Sequence, residues 1–225
     1  MSMKTVAVAA AKGGCLKTTI TSLLATRASK ESLKVAMFDL NSDQGNLSQW
    51  WMLRGQPMNP CLIYDIENIP QDARELERDG YEWLLVDTPP LEMDLIEQSI
   101  AIADTVIIPV RTSMFDVTAI EPVTSMCRKH RKDFAFLLAA VDTRVKFNLL
   151  TAQTIETLEH EGGKILDARV SYAAPYIQAI TIGKTGAEVS KPLTAEVDAL
   201  WLEVKAMAEA ARANSEATSR RRANV

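Results

Sequence analysis

The sequence predicts an α/β fold, a doubly wound and mainly parallel sheet flanked by helices. Two observations carry this. Short, nearly continuous apolar runs alternate with helix-length segments of 3.6-residue periodicity. A glycine-rich loop bearing lysines also lies between the first apolar run and the first helical segment.

The strand candidates are Thr5 to Ala10, Lys34 to Phe38, Trp83 to Val86, Thr105 to Val110 and Phe134 to Val141. Their unbroken apolarity fits strands buried on both faces. Ile20, Leu23, Leu24 and Ala28 share one helix face, as do Phe147, Leu150, Ile155 and Leu158. Arg54 to Pro60, with a glycine and two prolines, reads as a loop, and Gly162-Gly163 as a turn before a short strand near Ile165. Leu193, Val197, Leu200, Trp201, Val204, Met207 and Ala211 define an amphipathic helix. One domain is expected over residues 1–213, followed at 214–225 by a polar, arginine-containing tail without regular structure.

With 47% hydrophobic and 24% charged residues, the composition is that of a soluble globular protein. A formal net charge of −4 excludes overall basicity, so any contact with nucleic acid must come from a local patch. Three widely spaced cysteines, Cys15, Cys61 and Cys127, give neither a disulfide framework nor a metal knuckle, and a reducing cytoplasm suits them. Lys12 and the glycines after it interrupt the first apolar run, which excludes an export segment, and no later stretch has membrane-spanning length.

The loop AAKGGCLKTT, residues 10–19, carries the chemistry. A strand, a glycine-rich turn and Lys-Thr at a helix start let backbone N–H groups and the helix N-terminus surround phosphate oxygens. Lys17 would reach the β and γ phosphates and Thr18 would hold Mg²⁺. The pattern G-x-x-x-x-G-K-[ST] fails, because Ala11 and Leu16 stand at its glycine positions. Asp39 and Asp87 each end an apolar strand, where an open α/β sheet binds ligands, and Asp87 there can face Mg²⁺ directly or through water.

Lys12-Gly13-Gly14-x-x-Lys17-Thr18 resembles the deviant Walker A motif, KGGxGKT, of the ParA/MinD family of P-loop ATPases. The resemblance extends in order through FDLNSDQGNLSQWW (38–51), WLLVDTPP (83–90), ADTVIIPVRTSMFDVTAI (103–120) and YAAPYIQAITIGKTGAEV (172–189). It implies a P-loop NTPase fold, with ATP and Mg²⁺ as cofactors. Nucleotide contacts would come from Lys12, Gly13, Gly14, Cys15, Leu16, Lys17, Thr18 and Thr19, and metal contacts from Thr18 and Asp87. Lys12, Lys17, Asp39, Asn41 and Asp43 would be the catalytic set, with Lys12 reaching the phosphates of the partner in an ATP-bound homodimer.

Two departures from the family stand out. Leu16 replaces the glycine before the lysine, where close backbone approach and unusual dihedrals are needed. The family's D-x-D-P-Q-G becomes Asp39-Leu40-Asn41-Ser42-Asp43-Gln44-Gly45, one residue longer. Asn41 can orient a water but cannot take its proton. Either orientation suffices for a dissociative phosphoryl transfer, or the extra residue brings Asp43 into that role.

The resemblance implies a dimerising partition or positioning ATPase that binds DNA nonspecifically in its ATP state. A ParB-like or other adaptor would release it by stimulating hydrolysis, and the cargo would be a plasmid, a chromosome or a protein assembly. The candidate DNA contacts are Arg128, Lys129, Arg131 and Lys132, the late residues Arg169 and Lys184, and Arg220, Arg221 and Arg222. The first strand begins too early for a preceding helix-turn-helix domain, and Glu196, Asp198, Glu203 and Glu209 disfavour a membrane-anchoring role for the last helix. A cytoplasmic, nucleoid-associated protein is expected. The alternative is a nucleotide-gated binding scaffold with little or no hydrolysis, for which Leu16 and Asn41 are the motive.

Overall fold

In the computed structural model, residues 2–41, 45–112, 119–142 and 149–223 are described, with backbone alone for 150 and 219–223. Seven parallel strands form one sheet: β1 (Lys4–Val8), β2 (Val35–Asp39), β3 (Cys61–Ile63), β4 (Trp83–Asp87), β5 (Thr105–Arg111), β6 (Asp133–Val141) and β7 (Lys164–Ser171). Their order is β3-β2-β4-β1-β5-β6-β7, so the chain winds to one side of β1 and then to the other. All five apolar runs are strands, and the short strand near Ile165 is eight residues long. β3 is an addition to the sequence reading. Its three residues are too few to show a period.

The helices are α1 (Lys17–Ser29), α2 (Asn46–Leu53), α3 (Ile69–Arg78), α4 (Met93–Ile102), α5 (Glu121–Lys129), α6 (Leu149–His160), α7 (Ala174–Ile180), α8 (Gly186–Val189) and α9 (Lys191–Ala223). Alternate strand residues point to opposite faces, so Val6 and Val8 join one core and Ala7 and Ala9 the other. The first core takes α1, α2 and α9, through Ile20, Leu24, Trp50 and Trp201. The second takes α3 to α6, through Leu76, Ile96, Val123 and Leu158. Phe147 lies outside the described residues.

One expectation is corrected. The segment from 214, read as lacking regular structure, continues α9 as helix through Ala223. The helix is held to the base of the sheet there: Arg212 bonds Glu77 at 2.9 Å, and Ser2 donates to Glu216. The acidic residues of α9 also serve packing. Glu203 accepts from the N–H groups of Asp167 and Ala168, which the register shift between Phe136 and Leu138 leaves without a partner strand residue. Glu196 accepts from Ser171 and Tyr176. No helix among the described residues is long and apolar enough to cross a membrane.

Candidate functional site

The parallel sheet places the ends of β1, β2, β4 and β5 side by side, and the loop after β1 crosses this edge before entering α1. Val8 pairs with Asp87, and Asp39 also pairs with Asp87, so two carboxylates stand on neighbouring strand ends beside the loop. Thr88 fixes the next turn by donating both its N–H and its hydroxyl to the carbonyl of Val8, the hydroxyl at 3.1 Å. Pro90 then lies against Gly13, 4.0 Å from where a Cβ would stand.

Lys17 opens α1 with its side chain 7% exposed, a low value for a lysine, and its Nζ bonds the carbonyl of Lys12 at 3.1 Å. Cys15 is buried beneath the same turn, its Sγ 3.1 Å from that carbonyl and 4.0 Å from the lysine Nζ, which suits a small filler. The loop is folded around its own ammonium. The N-terminus of α1 has no side-chain cap and no acid in its first turn. Its first N–H groups therefore offer the partial positive charge and free donors that an anion uses.

Thr18 Oγ1 donates to Asp87 Oδ2 at 2.6 Å, while Asp87 Oδ1, fully buried, has no hydrogen-bond partner among the described residues. Burial pushes the Asp87 carboxyl up to about 7; the bond from Thr18 opposes this, Asp39 adds to it, and Lys17 opposes it. A hydroxyl and a carboxylate with one oxygen unsatisfied form a hard oxygen donor set of the kind Mg²⁺ takes with substrate phosphates. The residues present therefore fit the implied cation.

Leu16 occupies the left-handed region, φ 69 and ψ 22, as the residue preceding the first turn of α1. This is the dihedral region that a glycine would adopt without cost, and leucine holds it while packing on the first core. Asp39 is engaged otherwise than expected. Its Oδ2 accepts from the N–H and hydroxyl of Ser48, at 2.9 and 2.6 Å, and its Oδ1 from the N–H of Asn41 at 3.2 Å. The N-cap of α2 is Gly45, which has no side chain, and Asp39 supplies the missing acceptor from the neighbouring strand. Asn41 is buried beside it, and Asp43 lies outside the described residues.

Of the basic candidates, Arg131 and Lys132 line one cavity with Asn214, Ser215 and Thr218 of α9, the helix that carries Arg220, Arg221 and Arg222. Arg128 to Lys132 precede β6 and so lie at the N-terminal ends of the strands, opposite the loop. Arg128 pairs with Glu161 at 2.8 Å, Lys129 with Glu97 at 2.6 Å, and Lys132 Nζ bonds the carbonyl of Ala103. Arg131 is exposed in the left-handed turn, φ 53. Arg169 is exposed on β7, and Lys184 is exposed beside α2, where its carbonyl accepts from Trp50 Nε1. Arg220, Arg221 and Arg222 lie on α9, in the part described by backbone alone. Trp50 is core.

Ser48 and Arg111 are neighbours of the site that sequence reasoning missed. Arg111 ends β5, and its guanidinium lies 4.0 Å from where a Cβ on Gly14 would stand. A lone arginine closing an apolar strand was the available signal.

The model of the CobQ/CobB/MinD/ParA nucleotide binding domain matches residues 6–185. The chain is 28% identical over 184 residues to the maintenance of carboxysome distribution protein A of Halothiobacillus neapolitanus, covering 80% of this chain and 84% of that protein. Among solved structures, the MinC:MinD cell division protein complex of Aquifex aeolicus superposes with a TM-score of 0.73 at 16% identity, over 90% of this chain and 96% of that one. Apo McdA of Cyanothece gives 0.70 at 19% identity, over 88% and 99%. At such identities the structural likeness shows the fold.

Proposed function

Because this chain belongs to the CobQ/CobB/MinD/ParA nucleotide-binding family, we propose that it is an ATP-dependent, dimerising ATPase of the partition and positioning type. In its ATP state it binds DNA nonspecifically, and an adaptor protein stimulates hydrolysis and so releases it. The relative named for carboxysome distribution makes a large protein assembly as reasonable a cargo as a plasmid or chromosome. The protein would work in the cytoplasm, associated with the nucleoid.

The observation that carries this reading is the Thr18–Asp87 pair, with its unsatisfied carboxylate oxygen, beside a buried Lys17 and an uncapped helix N-terminus. The N–H groups from Gly13 to Thr19 would hold the phosphates, and Lys17 would turn from the carbonyl of Lys12 to the β and γ oxygens. Thr18 and Asp87 would hold Mg²⁺, which when bound neutralises charge on the β and γ oxygens. Lys12 would complete the site of the second subunit. Asp39, tied to Ser48, is then a positioning residue that fixes the start of α2 and the backbone of Asn41, leaving Asn41 to orient the attacking water.

A second reading has its own support. Leu16 in a strained left-handed conformation and an amide at Asn41 suit a nucleotide-gated scaffold that binds and dimerises but turns over little. ATP turnover and dimerisation of the purified protein with Mg²⁺, with and without DNA, beside Lys17→Ala and Asn41→Asp, separate the two. The first reading expects turnover that Lys17→Ala abolishes. ATP-dependent dimers without phosphate release, with turnover gained in Asn41→Asp, would establish the scaffold. A folded protein that shows neither ATP binding nor turnover, with its adaptor present, would overturn both.

A further inference from the structure

We infer that Arg111 is a third cation of the phosphate loop, contacting the terminal phosphate of a nucleotide held there; this rests on the nucleotide-binding reading above. Three observations point to it. Arg111 is the last residue of β5, the strand that pairs directly with β1, so the side chain leaves the sheet at the same edge as the loop. It is exposed, and its Nη1 is 4.0 Å from where a Cβ on Gly14 would lie. Gly14, also exposed, has φ 75 and no side chain to stand between the guanidinium and the mouth of the loop.

The loop apex is thus flanked on both sides. Pro90, from the turn after the metal-facing Asp87, lies against Gly13, and Arg111 lies against Gly14. The two glycines adjoin Lys12, the end of the loop farthest from the helix start. With the innermost phosphate near the N–H groups of α1, this apex is where the terminal phosphate would project.

Charge supports the assignment. When Asp39 and Asp87 are both ionised they offset Lys12 and Lys17, which leaves the nucleotide's surplus negative charge unanswered even with one divalent cation present. Arg111 supplies the next positive charge at the same edge. A guanidinium is always protonated, and its fork of N–H donors matches phosphate oxygens two at a time. Arg111 takes part in at least one further interaction, and a guanidinium carries five N–H donors.

The test is titration calorimetry of the full chain with ATP and with ADP, each with Mg²⁺, for wild type, Arg111→Gln and Arg111→Lys, with melting temperatures alongside. Arg111→Gln should weaken ATP binding roughly tenfold or more, the equivalent of one charge-assisted hydrogen bond. ADP, lacking the terminal phosphate, should lose less. Arg111→Lys, which keeps the charge and loses the fork, should recover part of the ATP affinity. The assignment fails if Arg111→Gln binds ATP within about twofold of wild type. It also fails if ATP and ADP weaken equally while both variants melt lower, the signature of a structural role. Absence of ATP binding by the wild-type chain would instead overturn the nucleotide reading, and this assignment with it.

Discussion

Leu16 concentrates the tension between sequence and site. A leucine in the left-handed region costs about 1–2 kcal/mol, and a glycine there would remove that cost. Glycine would also raise the entropy of the unfolded chain, by about 0.5–1 kcal/mol, and give up the partial packing of Leu16 on the first core. These terms nearly cancel. Leu16→Gly should therefore change stability by less than about 1 kcal/mol, whereas Leu23→Ala, a fully buried helical position, should cost about 2–5 kcal/mol. Urea unfolding of the two variants checks this. A large loss in Leu16→Gly would mean that the side chain, and not the backbone, is what the position needs.

Between elements, the contact of α2 with the segment joining α7 to α8 holds the site's flank, because α2 is also the helix that Asp39 starts. Gly183, φ 67, sits so close that a Cβ there would lie 2.3 Å from the backbone of Leu53 and Arg54. Backbone cannot move aside as a side-chain tip can, so Gly183→Ala should cost at least about 2–3 kcal/mol, from overpacking and an unfavourable positive φ together. Thermal or urea unfolding would show it, and near-wild-type stability would mean that this contact is not formed.

The residue after α2 and the short helix α8 share an ion pair. Arg54 bonds Glu188 with two nitrogens, each at 2.8 Å, and Glu188 also accepts from Thr185. Burial alone would raise the Glu188 carboxyl, but Arg54 and Thr185 outweigh it and hold the carboxyl below its ordinary value. A lowered carboxyl stabilises the fold above its unfolded-state value, and that contribution fades as pH falls through the lowered one. The stability gap between wild type and Glu188→Gln should accordingly be widest at neutral pH and shrink on the acid side of the ordinary glutamate range. A gap that does not change with pH would sink this account.

Over the whole molecule, α9 is the element that ties distant parts together, crossing from β7 to the base of the sheet. Trp201 is its anchor: fully buried, 4.7 Å from the ring of Trp83 between centroids, with Nε1 donating to Glu31 at 2.9 Å. Trp201→Ala removes a large core side chain and leaves Glu31 without that donor, so a loss of about 3–5 kcal/mol is expected, together with a change in the near-ultraviolet dichroism of the tryptophan pair. Denaturant unfolding followed by both far- and near-ultraviolet signals measures the two effects. A loss under 1 kcal/mol would mean that α9 is an appendage.

The sequence by itself determined the layered α/β architecture, since five buried strands announce themselves by continuous apolarity. It also carried the phosphate loop, whose residues are contiguous and whose chemistry depends on local spacing. The face on which the amphipathic last helix packs was legible for the same reason. Tertiary structure decided what depends on neighbours far apart in the chain: that Asp39 serves Ser48, that Asp87 keeps one oxygen unsatisfied, that Arg128 and Lys129 are matched by Glu161 and Glu97, and that Arg111 stands over Gly14. Periodicity reports which side of an element is apolar. Only folding brings a charge on one strand end within reach of a loop from another, and that distance fixes what the charge can do.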